Sequence, residues 1–144
     1  MLKLIDPILS PELLYALRAM GHRHDIAVVD ANFPCDAGDD RLIRLDGVSG
    51  PRALEAILGI FPLEEQEPQV AWRMIAENDP IKILPVFEDY SASLQKTQGQ
   101  PVELTAVEPD DFKDRVRAAY TVVVTGERRF YGSIILRKGV IPPQ

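Results

Sequence analysis

One α/β domain spanning residues 1–144, with a mostly parallel sheet flanked by helices, is what the sequence predicts. Three observations carry that prediction. Short apolar runs rich in β-branched residues, at 26–29, 122–124 and 133–137, have the length and composition of buried strands. Segments with apolar residues at helical spacing lie between them and open on Ser-Pro or Pro signals. Strands therefore alternate with helices until the last two strands, which follow one another directly. That order gives a largely parallel sheet with an antiparallel edge.

The first helix begins at Ser10-Pro11-Glu12. Ser10 can cap free amides, Pro11 suits the first helical position, and Glu12 complements the helix dipole. Leu13, Leu14, Leu17 and Met20 share one face, and Gly21 is the expected left-handed stop. His22 then falls just past the helix C-terminus, where the dipole favours a protonated imidazole. Residues 26–29 form the first buried strand, Asp30-Ala31-Asn32-Phe33-Pro34 leaves it, and residues 35–40 are a loop. Residues 41–45 give a short strand and Asp46-Gly47 a turn. Ser49-Gly50-Pro51 opens the second helix, with Ala53, Leu54, Ile57, Leu58 and Phe61 inward. Pro62 stops it, and residues 63–68 are an acidic connector. Residues 70–76 read as a strand and 81–85 as an extended loop. Phe87, Tyr90 and Leu94 mark a third helix that ends before Gly99, and a short strand is expected at 102–104. Pro109, Asp110 and Asp111 open a fourth helix, with Phe112, Val116, Ala119 and Tyr120 on its inner face. After the strand at 122–124, residues 125–132 make a polar and aromatic excursion before the last strand. Trp72, Phe87 and Phe112 are expected in the core.

The net charge is −6, and the basic residues are scattered or in short pairs such as Arg128-Arg129. Both facts argue against nucleic acid as a partner, since such binding rests on clustered Lys and Arg. Cys35 is the one cysteine, so no intrachain disulfide forms and a reducing compartment fits. Asp6 and Pro7 interrupt the apolar start of the chain, which lacks the core of a signal peptide. No run approaches the ~20 apolar residues that span a bilayer. The expected location is the cytoplasm, with no membrane partner. Phosphate-binding glycine loops, dinucleotide fingerprints and the Gly-x-Ser-x-Gly elbow are missing, which points to cofactor-free chemistry or simple binding.

Loops and strand ends carry groups that a packed core does not tolerate, and His22 and Asp30 occupy such places. An imidazole titrates near neutrality and suits proton transfer. The same pattern also describes a surface histidine at a helix end. Asp30 reads equally as a carboxylate for substrate hydroxyls and as a turn-former for Asp-Ala-Asn. His24 and Asp25 sit nearby, but the spacing matches no strong metal motif, and a solvated turn is expected with no metal. In Tyr131-Gly132-Ser133 a phenol and a close backbone approach suit a sugar, while a glycine-assisted turn with an outward aromatic reads the residues as well. Gly126-Glu127 carries a weaker signal. Cys35 follows a proline in a loop and has no pattern that activates a nucleophile.

The chain resembles the RbsD/FucU family of sugar mutarotases, and its fucose branch most closely. The likeness runs nearly end to end. It is carried by Met1-Leu2-Lys3, Ile8-Leu9-Ser10-Pro11-Glu12-Leu13-Leu14, Met20-Gly21-His22, Asp30-Ala31-Asn32-Phe33-Pro34, Arg44-Leu45-Asp46-Gly47, Thr125-Gly126-Glu127-Arg128, Tyr131-Gly132-Ser133 and Lys138-Gly139-Val140. The resemblance implies an RbsD-like fold and an isomerase that interconverts the α and β anomers of a reducing monosaccharide, L-fucose or similar, without a cofactor. It implies His22 as the catalytic acid/base, and Asp30, Tyr131, Gly132 and Ser133 as the substrate-binding residues. It also implies a ring-like homo-oligomer, often a decamer, with sites completed by a neighbouring subunit. Two positions depart from the family pattern: Ser133 stands where Asn is usual, and Pro109 where the fucose branch has a substrate-binding arginine. Those departures keep a second expectation open, a non-catalytic monosaccharide-binding oligomer on the same scaffold.

Overall fold

The structure is a computed structural model that describes residues 1–36 and 38–143. The loop expected at 35–40 therefore lies partly outside the described residues. In chain order the elements are α1 (Pro11–Ala19), β1 (Asp25–Val29), β2 (Leu42–Leu45), α2 (Gly50–Leu58), β3 (Ala71–Met74), α3 (Pro85–Gln98), β4 (Thr105–Val107), α4 (Pro109–Ala118), β5 (Thr121–Thr125) and β6 (Ile134–Arg137).

The helix starts follow their local signals. Ser10 holds an extended N-cap backbone and its hydroxyl accepts from the Leu13 amide at 3.2 Å, with Pro11 beginning the helix. Pro109 opens α4, with Asp110 and Asp111 in the first turn and Arg115 and Arg117 in the last, a charge order that suits the dipole. Gly99 ends α3 in the left-handed conformation, φ 72°. Gly21 does not end α1 in that way. Met20 leaves the helix in extended backbone, and the left-handed residue of the turn is Arg23, φ 66°. The turn is tightened instead by the Gly21 amide donating to His24 Nδ1 at 3.0 Å.

The sheet order is β2-β5-β1-β6-β3-β4. β2, β5 and β1 run parallel, as do β3 and β4, and β6 runs antiparallel to both of its neighbours. The antiparallel strand is thus in the middle of the sheet and not at its edge. Ile134, Ile135 and Leu136 are fully buried, and such a continuous apolar run belongs in a strand covered on both faces. The strand expected at 102–104 forms at Thr105–Val107, where it pairs with Trp72, Arg73 and Met74.

Side chains alternate across β1. Ile26 and Val28 pack with α1, α2 and α3 on one face, and Ala27 and Val29 pack with Phe112 and Val116 of α4 on the other. Trp72, Phe87 and Phe112 are all in the core, whereas Tyr120 is partly exposed beyond α4. Among the described residues no helix is long and apolar enough to cross a membrane.

Candidate active site

The central place of β6 decides which groups meet. Because β6 runs against β1, its beginning lies beside the end of β1, and its end lies beside the beginning of β1. Ser133 precedes β6 and Asp30 follows β1, so the two become neighbours. The Ser133 hydroxyl donates to Asp30 Oδ2 at 2.6 Å and accepts from the Asp30 amide at 3.0 Å. The Asn32 amide donates to Asp30 Oδ1 at 3.0 Å. Asp30 is 5% exposed, and its carboxylate is held in one orientation with lone pairs left over for a ligand. Ser133 is fully buried and its hydroxyl is spent on Asp30. Within this protomer it orients the Asp30 carboxylate and exposes no surface of its own.

Tyr131 and Gly132 share this end. Tyr131 has φ 58°, so the left-handed residue is the tyrosine and not the glycine. Gly132 is required for space: a Cβ there would lie 2.7 Å from Glu127 Cγ and 2.8 Å from the Arg129 carbonyl oxygen. The fully buried Tyr90 donates from its phenol to the Gly132 carbonyl at 2.6 Å and fixes the segment from below. Burial pushes the Tyr90 phenol well up, with the Glu127 and Asp30 charges adding to the effect. The Tyr131 phenol accepts from the Glu77 amide at 3.3 Å.

Glu127 closes the underside. Its carboxylate accepts from Arg129 Nε and Nη2, both at 2.9 Å, from the Arg129 amide at 3.0 Å and from the Gly50 amide at 3.3 Å. The Arg129 guanidinium, against the opposing effect of burial, holds Glu127 down at about 2. Arg129 also binds Asp89 at 2.6 Å.

His22 is at the other end of β1. The five strand residues between the two groups, at about 3.3 Å each, set His22 and Asp30 on the order of 17 Å apart. The structure brings Asp30, Tyr131, Gly132 and Ser133 together and leaves His22 out of reach of them within one protomer. The His22 ring has its own partner, Glu64 Oε2, at 2.5 Å from Nε2. The Glu64 side chain is almost fully buried, and its other oxygen accepts from the Glu65 and Gln66 amides at 2.9 and 2.8 Å. Those amides, the Gln66 one first, and His22 hold its carboxyl below the usual range. With Nε2 held by Glu64, Nδ1 has no hydrogen-bond partner among the described residues. Both halves of the pair are stitched to the end of β6: the Arg23 amide donates to the Lys138 carbonyl at 2.8 Å, and the Glu64 amide to the Arg137 carbonyl at 3.0 Å. A cavity of about 670 Å³ opens beside His22, lined mainly by apolar groups from both ends of the chain, such as Leu2, Ile5, Val140 and Ile141, and by Ile60 and Phe61 after α2.

Sequence reasoning passed over Glu64, gave Gly126-Glu127 only a weak signal and placed Tyr90 only on the apolar face of the third helix. Glu64 lies 42 residues from His22, and no local spacing announces such a pair. Arg115 and Arg117, the arginines closest after Pro109, are occupied elsewhere: Arg115 sits 4.6 Å over the Trp72 ring and Arg117 pairs with Asp114.

Known proteins match this chain over almost its whole length. The fucose mutarotase of Danio rerio is 42% identical, with 99% of this chain and 96% of that protein covered. The L-fucose mutarotase of Glaesserella parasuis is also 42% identical, covering 99% and 97%. The crystal structure of the Streptococcus pneumoniae fucose mutarotase in complex with L-fucose superposes with a TM-score of 0.87 at 34% identity, covering 98% of this chain and all of that one. The family model described as the RbsD / FucU transport protein family matches residues 3–141, and the chain belongs to that family.

Proposed function

We propose that the chain is a sugar mutarotase, an isomerase that exchanges the α and β anomers of L-fucose or a closely similar reducing monosaccharide. The observation that carries this reading is the pairing of a sugar-binding end with a proton-transfer end. Asp30 is clamped by Ser133 beside the left-handed Tyr131, and His22 is oriented by a buried carboxylate.

Mutarotation opens the hemiacetal ring. The anomeric hydroxyl gives up its proton, the bond between the anomeric carbon and the ring oxygen breaks, and the ring oxygen takes a proton. The aldehyde rotates and the ring closes on its other face. His22 is suited to deliver and recover the proton at the ring oxygen through Nδ1, with Glu64 stabilising the charged ring. Asp30 accepts hydrogen bonds from sugar hydroxyls, Tyr131 offers its phenol, and Gly132 lets the sugar approach the backbone.

The separation of His22 from Asp30 supports a shared site, in which one protomer supplies the acid/base and its neighbour the binding groups. Apolar side chains exposed at both ends, Leu2, Leu4 and Ile141 at one and Ile81, Ile83 and Phe130 at the other, suit such a contact. A head-to-tail contact of this kind forms a ring where its rotation closes, which is the assembly that the resemblance implies. The proposed compartment is the cytoplasm.

Saturation-transfer proton NMR on fucose, ribose, galactose, rhamnose and glucose tests the reading. Accelerated exchange between the two anomeric signals of one sugar, lost in His22→Ala, is the expected result. Sugar binding without acceleration in folded, assembled protein would make the chain a binding module instead.

A further inference from the structure

The end of the sheet that holds Asp30 also holds a loop whose shape the sugar chemistry above does not use. It follows β3 and runs through Glu77-Asn78-Asp79-Pro80-Ile81-Lys82. Three of the five non-glycine residues with positive φ in the described chain are here or touch it: Glu77 at 53°, Asn78 at 60° and Tyr131 at 58°. Backbone of this kind persists only where the surroundings hold it. The Asp79 amide closes the turn on the Ala76 carbonyl at 2.9 Å, and the Ile81 amide donates to Asp79 Oδ1 at 3.1 Å. The Lys82 amide reaches the Asp79 carbonyl at 3.2 Å. The buried Arg73 braces the loop from the core, donating to the Met74 and Pro80 carbonyls at 3.1 and 3.0 Å from above the Phe87 ring.

This scaffold delivers two opposite charges to the mouth of the site. The Glu77 amide is bound to the Tyr131 phenol, and the Glu77 carboxylate pairs with the Lys82 ammonium. The Glu77 carboxylate holds the Lys82 ammonium above its usual range, with Asp79 and Tyr131 adding smaller effects. A sugar site also needs donors. Asp30 is an acceptor, and Pro109 has no side-chain donor. Of the guanidiniums packed around this end, Arg129 is committed to Glu127 and Asp89, and Arg73 to backbone carbonyls.

We propose that Glu77 and Lys82 form a diol clamp beside Tyr131, the carboxylate accepting from one sugar hydroxyl while the ammonium donates to its neighbour. Both side chains are about half exposed, and as a pair they are neutral. That combination selects a vicinal diol on an uncharged monosaccharide over a sugar phosphate or a sugar acid. The clamp is a specificity device for the mutarotase reading and rests on it.

The test uses the intact oligomer, L-fucose and its monodeoxy analogues, with Lys82→Met, Lys82→Arg and Glu77→Gln. Lys82→Met raises KM for L-fucose about tenfold, the size of one charged hydrogen bond, with kcat within about twofold. Lys82→Arg restores most of the loss. One deoxy analogue is penalised in the native protein and carries no further penalty in Lys82→Met, which identifies the clamped hydroxyl. Equal deoxy penalties in the two proteins would overturn the proposal, as would a loss of kcat and melting temperature at constant KM, the mark of a brace. If the native protein accelerates no sugar, the same cycle is read from dissociation constants by NMR titration. Coupling between Lys82 and one hydroxyl then upholds the clamp while the mutarotase reading fails, and its absence sinks both.

Discussion

At one end of β1 Asp30 is enclosed by several fixed partners; at the other, His22 has one. Asp30 is buried, bonded through both oxygens, and backed by Glu127, Arg129 and Tyr90. The His22 side chain is 38% exposed, faces an open apolar cavity, and has Glu64 as its one polar partner among the described residues. Under the proposed reading, the contrast follows from what each end would have to do. A group that recognises hydroxyl positions is held still by its own protomer, since every lost hydrogen bond loosens recognition. A group that exchanges protons requires a free nitrogen and a way in. Its lid is left to whatever covers the apolar rim.

The largest effect that tests this division comes from separating the ends. His22→Ala lowers the exchange rate by roughly 10²–10⁴-fold, the usual worth of a positioned acid/base. Asp30→Asn subunits mixed with His22→Ala subunits recover exchange when refolded together, because one interface in the mixture combines an intact His22 with an intact Asp30. A site confined to one protomer predicts no recovery. The rigid end fails by crowding: Gly132→Ala forces a methyl between Glu127 and the Arg129 carbonyl and costs about 2–3 kcal/mol in denaturant unfolding, with sugar binding lost as well.

Acid tests the rigid end selectively. The folded Glu127 carboxyl lies at about 2 against an ordinary 4.5, so its ionised form stabilises the fold at neutral pH. That contribution, on the order of 2 kcal/mol with half-exposed Arg129 screened by solvent, is present above pH 4.5 and drains away as pH falls towards 2. Glu127→Gln is less stable than the native protein at pH 7, and the gap between their unfolding curves narrows steadily over that window. The smallest effect is Ser133→Ala. It removes one donor from a buried carboxylate, costs about 1–2 kcal/mol and raises KM several-fold while kcat stays near native.

The parts of this arrangement that were legible in the sequence are those set by neighbouring residues. Ser10-Pro11, Pro109 and Gly99 mark helix ends because capping is a matter of a few adjacent groups. The β-branched runs marked β1, β5 and β6 for a similar reason. Gly21 misled as a signal of left-handed backbone, since that conformation went to Arg23, held by the distant Lys138 carbonyl. The middle place of β6 was not legible at all. Two successive strands suggest an edge hairpin, and only the competition for burial of Ile134, Ile135 and Leu136 moves the last strand inward. His22 and Asp30 came forward by residue type and by resemblance. Glu64, which orients His22, was hidden in a connector because its partner is remote in sequence.

The interior position of β6 also constrains how the chain reaches its native state. β1 is the first strand in chain order, yet its two partners, β5 and β6, are the last two. Val28 finds Val123 on one side and Ile134 on the other. During synthesis β1 leaves the ribosome with both edges bare and stays so until nearly all the remaining chain has emerged. Pairings this distant carry a large loop-closure cost and form slowly. Until β5 and β6 arrive, Ile26 and Val28 have only the helices that pack on their face to cover them, and the centre of the sheet cannot close before the last two strands are made.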